Sequence, residues 1–213
     1  MTGILLSRGT LVRYGDSLAA ATREAGIEAR VVHLPDDPTV RLQPEERASI
    51  EVAYLTREIS VSGHYPAFGE TLAAAPNLKW VHFVNTGVDQ HPFLRNLVER
   101  RIRLTTSAGS NGEPVAQTAI CGLLMLACRF PHWWAAQGRR EWDPMRGEAV
   151  PRDLQGQTVL IVGLGTVGMT VARFCQMLGM QVIGVRRSPR RPEDPVHEIH
   201  TLAALPELLA RCD

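Results

Sequence analysis

Short apolar runs separated by stretches of helical period recur through the first hundred residues. Ile4-Leu5-Leu6 is a short apolar strand. The spacing of Leu18, Ala21 and Ala25 predicts a helix that stops at Gly26. Residues 29–34 form a second strand and Pro35-Asp36-Asp37-Pro38 a turn. Residues 50–55 predict a third strand, 68–75 a helix closed by Pro76-Asn77, and 78–84 a fourth strand. Asp89 is placed to cap a helix from about His91 to Arg101, and 102–105 is one more strand. Repeated strand–helix–strand units predict a parallel sheet covered on both faces.

The pattern then changes. Residues 114–128 are almost continuously apolar, which predicts a helix buried on most sides. Pro131-His132-Trp133-Trp134 marks its far end, and 137–153, with Gly138, Pro144, Gly147 and Pro151, reads as an irregular crossing segment. Residues 158–162 are a buried strand. A helix with Val167, Val171, Phe174, Cys175 and Leu178 on one face follows, then a strand at 181–185. The polar stretch 186–194 is a loop, and 205–211 is helical. There is no internal repeat.

Apolar residues make up 45% and charged residues 21% of the 213, an ordinary globular balance. The formal net charge of +1 gives no general electrostatic reason to bind nucleic acid or an anionic membrane, so any anion site must be local. The N-terminal apolar run is too short for a signal peptide, and residues 120–128 fall far below a membrane span. A cytoplasmic protein is expected. Cys121, Cys128, Cys175 and Cys212 form no C-x-x-C pair and are expected to be reduced, with Cys121 and Cys128 packed in the core. No metal site is expected.

Gly163-Leu164-Gly165-Thr166-Val167-Gly168 fits G-x-G-x-x-G between a strand and an amphipathic helix. Gly163 permits the tight turn, Gly165 lets backbone approach a pyrophosphate, and Gly168 allows helix to pack on strand. The amides and dipole of the helix start attract the anion. A Gly-rich turn without ligand is the alternative. In NAD sites an acid at the end of the next strand bonds the ribose 2′-hydroxyl. Here that place holds Arg186, followed by Arg187 and Ser188, which suits the 2′-phosphate of NADP. Arg190 and Arg191 add positive charge. NADP is expected as cofactor, NAD remains possible, and a solvated basic loop is the plain alternative. On this reading Arg186→Asp shifts preference toward NAD.

Three segments carry a resemblance. They are Leu78-Lys79-Trp80-Val81-His82-Phe83-Val84-Asn85-Thr86-Gly87-Val88-Asp89, Thr106-Ser107-Ala108-Gly109-Ser110-Asn111-Gly112-Glu113-Pro114-Val115-Ala116-Gln117, and Leu154-Gln155-Gly156-Gln157-Thr158-Val159-Leu160-Ile161-Val162-Gly163-Leu164-Gly165. In this order they resemble the D-isomer-specific 2-hydroxyacid dehydrogenases, particularly the glyoxylate/hydroxypyruvate reductase-like members. The resemblance implies an α/β chain. Residues 1–105 would be a flavodoxin-like substrate domain and 106–213 an incomplete Rossmann nucleotide-binding domain, with the active site in the cleft between them. It implies that backbone amides of Thr86, Gly87 and Val88 hold the substrate carboxylate. Independently of the resemblance, a glycine at 87 suggests a backbone angle that Val would resist. From its place just after the strand at 50–55, Arg57 is a candidate to face the same cleft, with a solvated surface arginine as the alternative.

The resemblance further implies reduction of small 2-oxo acids to D-2-hydroxy acids by NADPH in a homodimer, with no nucleic-acid or membrane partner. Gln117 replaces the family's usual Glu. The family's catalytic Arg, Glu and His lie later in the nucleotide domain, and none of His33, His64, His82, His91, His132, His197 or His200 matches that His. The chain therefore reads as truncated after the first two strands of the nucleotide sheet and inactive alone. A non-catalytic, corepressor-like NAD(P)-sensing protein of the same fold is the alternative.

Overall fold

The computed structural model describes all residues, Met1–Asp213. They form two compact units, Met1–Ala108 and Gly109–Asp213. The first unit runs β1 (Thr2–Leu6), α1 (Arg8–Glu24), β2 (Ala29–His33), α2 (Pro44–Ser49), β3 (Ile50–Leu55), α3 (Arg57–Val61), α4 (Tyr65–Ala73), β4 (Trp80–Phe83), α5 (Leu94–Glu99) and β5 (Arg103–Thr106). The second runs α6 (Gly112–Ala127), α7 (Phe130–Arg139), β6 (Thr158–Val162), α8 (Thr166–Met177), β7 (Gln181–Val185), β8 (Glu198–His200) and α9 (Leu205–Leu209).

In the first unit five parallel strands are ordered β2-β1-β3-β4-β5. This is the flavodoxin-like order, whose switch point lies between β1 and β3. Leu5, Ile50, Ala53, Leu55, Phe68, Leu72, Val81, Phe83 and Leu97 are fully buried between sheet and helices. Local signals start the helices. The Ser7 hydroxyl accepts from the Thr10 amide at the head of α1, and the Thr56 hydroxyl accepts from the Ile59 amide at the head of α3. Gly26, at φ +66, follows α1 in the left-handed conformation that favours glycine.

Asp89 does not cap the next helix. The His91 amide donates to the Val88 carbonyl and the Leu94 amide to the His91 carbonyl, so residues 88–93 turn before α5 begins. Pro92 is the reason: it disfavours helical backbone at His91 and brings no N–H to the ladder.

In the second unit three parallel strands are ordered β6-β7-β8. The third, β8, corrects the expectation of two. Glu198-Ile199-His200 is too short and too polar to show as a strand, but it pairs with Ile183–Val185 of β7. Central β7 is buried from Val182 to Val185, whereas β6, at the edge, buries only Ile161. The expected burial of β6 therefore belongs to its neighbour.

Helix α6 is not buried on most sides. Only Gly112 and Ala116 are enclosed, while Val115, Met125 and Leu126 are exposed, as are Cys121 and Cys128. Its inner face packs on α8, and its exposed side carries apolar residues along with Glu113, Gln117 and Thr118. The segment 131–134 does not end it but lies inside α7. Arg129 takes φ 50, ψ 40, and Pro131 cannot continue the ladder, so the two helices meet at a 68° bend. No single helix is long and apolar enough to cross a membrane, although this bent pair passes by length and composition together.

Candidate nucleotide and carboxylate sites

The turn from β6 into α8 is built by its glycines. Gly163 has φ +101, a conformation that L side chains rarely adopt. A Cβ on Gly163 or Gly165 would meet nothing within 4 Å, so both face open space. A Cβ on Gly168 would sit 1.9 Å from the Gly163 carbonyl oxygen, so helix and loop touch there. The first-turn amides of α8 have no intrahelical acceptors and suit a pyrophosphate. Val162, Gly163, Leu164 and Gly165 line a crevice of about 520 Å³ with Val185, Arg186, Arg187, Ser188 and Leu202. Open backbone at two glycines, first-turn amides and a basic rim together fit a nicotinamide dinucleotide. Thr166, Val167 and Gly168 lie in the first turn of α8, beside the crevice.

The three polar residues after β7 have different roles. The Arg186 guanidinium is turned inward onto Asp194, Nη1 to Oδ1 at 2.8 Å and Nη2 to Oδ2 at 2.6 Å. Nε also donates to the Ser188 carbonyl at 3.0 Å and Nη2 to the Pro189 carbonyl. Side-chain exposures are 8% for Arg186 and 0% for Asp194. Burial raises the Asp194 carboxyl, but the Arg191 amide and the Arg186 guanidinium outweigh it and hold the group below its ordinary value. Arg190 is also occupied, donating to the Val196 and His197 carbonyls. Arg187 and Ser188 are exposed at the crevice. Sequence reasoning missed Asp194, because nothing in the string Pro192-Glu193-Asp194-Pro195 says which arginine it pairs with.

In the first unit, Arg57 is exposed at the start of α3. It lines a cavity of about 460 Å³ with Gly9 and Thr10 beyond β1, Thr56 and Glu58 beyond β3, and Val84 beyond β4. That is the switch-point end of the sheet, where open α/β sheets take ligands. Two residues past Val84, Thr86 is exposed and Gly87 and Val88 are half-buried. Gly87 is not among the glycines with positive φ, and a Cβ there would meet only Gln90 Oε1 at 3.8 Å. The expected special backbone at Gly87 is therefore absent, because the turn is made by residues 88–93 instead.

Behind this loop lies a pair that sequence reasoning also missed. Tyr65 Oη is 2.5 Å from His91 Nδ1. The His91 ring stacks on Phe83 with centroids 4.8 Å apart and lies beside Phe93 at 5.5 Å, and its Nε2 is buried without a partner. Burial lowers the His91 pKa and raises that of Tyr65. His82 is half-buried, with its ring nitrogens 2.8 Å from Thr105 Oγ1 and 3.0 Å from Ser107 Oγ.

A flavodoxin-ordered sheet followed by a parallel sheet whose first strand enters a three-glycine turn defines a two-unit α/β protein of the dinucleotide-binding class. Residues 120–213 match the model of the D-isomer specific 2-hydroxyacid dehydrogenase, NAD binding domain. These residues thus belong to the nucleotide-binding domain of the D-isomer specific 2-hydroxyacid dehydrogenase family.

A D-isomer specific 2-hydroxyacid dehydrogenase family protein of Aeromonas salmonicida superposes with a TM-score of 0.73 at 25% identity, over 100% of this chain and 61% of that one. The D-3-phosphoglycerate dehydrogenase of Mycobacterium bovis is 29% identical over 209 residues, 95% of this chain and 37% of its own length. An "uncharacterized protein in mprR 3′ region" of Streptomyces coelicolor is 31% identical over 136 residues, 64% of this chain and 46% of its own length. The chain thus spans about half or less of the curated relatives it matches here.

Proposed function

We propose that this chain supplies the nucleotide-binding and carboxylate-binding parts of an NADPH-preferring reductase that converts small 2-oxo acids, of glyoxylate or hydroxypyruvate type, to D-2-hydroxy acids. The observation that carries this reading is the crevice beside Gly163–Gly165, which ends in Arg187 and Ser188 and has no acid at the tip of β7. On this reading the first-turn amides of α8 hold the pyrophosphate, and the rim holds the 2′-phosphate. The bound dinucleotide supplies the hydride. Amides of Thr86, Gly87 and Val88, with Arg57 nearby on the same sheet end, hold the substrate carboxylate. Residues 1–105 would be the substrate domain and 106–213 the nucleotide domain.

The proton donor and the group that polarises the carbonyl are not assigned to these residues; nucleotide binding is the activity proposed for them. A homodimer is part of the same proposal. Its support is the apolar surface of α6, α7 and the following segment, where Leu126 is 73%, Trp134 68% and Trp142 89% exposed. A cytoplasmic location fits the four free thiols.

The test titrates the chain with NADPH and NADH, following tryptophan fluorescence, and then assays NADPH oxidation with glyoxylate, hydroxypyruvate and a phosphorylated 2-oxo acid. Tighter NADPH than NADH binding supports the cofactor assignment. Tighter NADH binding overturns it. Turnover by the chain itself overturns the assignment of the chemistry to groups other than these residues. Turnover confined to the phosphorylated substrate would move the substrate class toward that of the phosphoglycerate dehydrogenase relatives.

A further inference from the structure

The Arg186–Asp194 ion pair is the most enclosed charged feature of the second unit outside the glycine turn, and the proposed chemistry gives it no role. It joins the end of β7 to a point eight residues on, across a polar loop with prolines at 189 and 192. The fork of Arg186 also gathers the carbonyls of Ser188 and Pro189, and Asp194 Oδ2 accepts from the Arg191 amide at 2.6 Å. Four of the five guanidinium N–H groups are thereby used, and Asp194 cancels the charge. A dianionic phosphate approaching the crevice gains little from such a neutral pair. Of the two arginines that line the crevice, Arg187 is the exposed one and the one not engaged in the ion pair, whereas Arg191 lies outside the crevice lining.

A buried ion pair is poor evidence for stability, but here four hydrogen bonds from Arg186 and three into Asp194 tie the two ends of the loop together. We propose that Arg186 and Asp194 are positioning residues for cofactor choice. Locked together, they hold the 186–194 loop so that Arg187 and the Ser188 hydroxyl, not Arg186, meet the 2′-phosphate of NADPH. The inference rests on the NADP reading given above and reassigns the contact within it.

The test measures dissociation constants of NADPH and NADH for the full chain, with melting temperatures as a control. Arg187→Ala is expected to weaken NADPH about ten- to a hundredfold, the loss of one charge-assisted contact, with NADH nearly unchanged. Asp194→Asn strands a buried cation and risks the fold, so the second variant is the double substitution Arg186→Met with Asp194→Leu. That apolar pair can fill the space but cannot gather the Ser188 and Pro189 carbonyls. It is expected to keep its melting temperature and its NADH affinity while NADPH binding falls about tenfold. A merely structural pair would move both nucleotides together.

An unchanged NADPH-to-NADH ratio in the double variant overturns the positioning role. A ratio lost in the double variant but kept in Arg187→Ala makes Arg186 itself the phosphate ligand and also overturns it. A wild-type chain that prefers NADH overturns the NADP reading, and this inference falls with it.

Discussion

Gly168→Ala places one methyl group where the structure has no room. Its Cβ would lie 1.9 Å from the Gly163 carbonyl oxygen and 3.3 Å from Ile161 Cγ2. Ordinary van der Waals contact begins near 3.4 Å, so α8 must retreat from the loop by about 1.5 Å. The obstacle is backbone rather than a flexible side-chain end, so relief must come from shifting the helix against β6. Alanine's better helix propensity offsets at most about 1 kcal/mol of the cost. Overpacking of this kind costs roughly 1–3 kcal/mol, and a backbone clash belongs at the upper end. The same shift displaces the amides expected to face the pyrophosphate. A misplacement on the order of 1 Å can cost about a hundredfold where geometry is critical. The assays are the urea midpoint and the NADPH and NADH dissociation constants by fluorescence. Both nucleotides should weaken together, in contrast with the Arg187 variant, which separates them. Unchanged stability together with unchanged affinity for both nucleotides would show that the third glycine is not a packing requirement here, and the argument for the turn would fail.

Gly122→Ala in α6 meets open space and no positive φ, so it should raise stability by about 0.5–1 kcal/mol in urea unfolding, and a loss would mean that this face is covered in solution. His91 is held below its ordinary pKa by burial, so as pH falls below about 6.5 the unfolded chain takes up a proton that the folded chain refuses, and stability falls by at most about 1.4 kcal/mol per pH unit until the folded group titrates. His91→Leu should remove that slope; a stability difference between wild type and variant that stays constant from pH 7.5 to 5.5 would refute it. Arg186→Asp would set a second carboxylate against buried Asp194, so the melting temperature should drop sharply, by the equivalent of about 3–5 kcal/mol, rather than the cofactor preference shifting cleanly to NAD. A stable, NAD-preferring Arg186→Asp variant would instead restore the simpler view of the loop.

What the sequence shows and what it hides divide along physical lines. Continuous apolar runs such as residues 50–55 and 181–185 announce buried strands because both faces of a parallel sheet are covered. The glycine spacing at 163, 165 and 168 is legible because each position answers a backbone constraint that other residues meet poorly. The third strand of the second unit was not legible, since Glu198-Ile199-His200 carries no apolar run and owes its strand to pairing with β7. The exposure of α6 was hidden as well, because an apolar stretch reads the same whether its partner lies in the same chain or outside it. The arginine pair is the sharpest case. Arg186 and Arg187 are adjacent and chemically identical, yet one guanidinium is closed onto an acid eight residues away while the other stands at the crevice. Charge at a loop is a property of pairs, and pairing is set by the three-dimensional path between Pro189 and Pro195. Cofactor choice in this chain is therefore to be sought in how Asp194 disposes the loop, as much as in which residue follows the last position of β7.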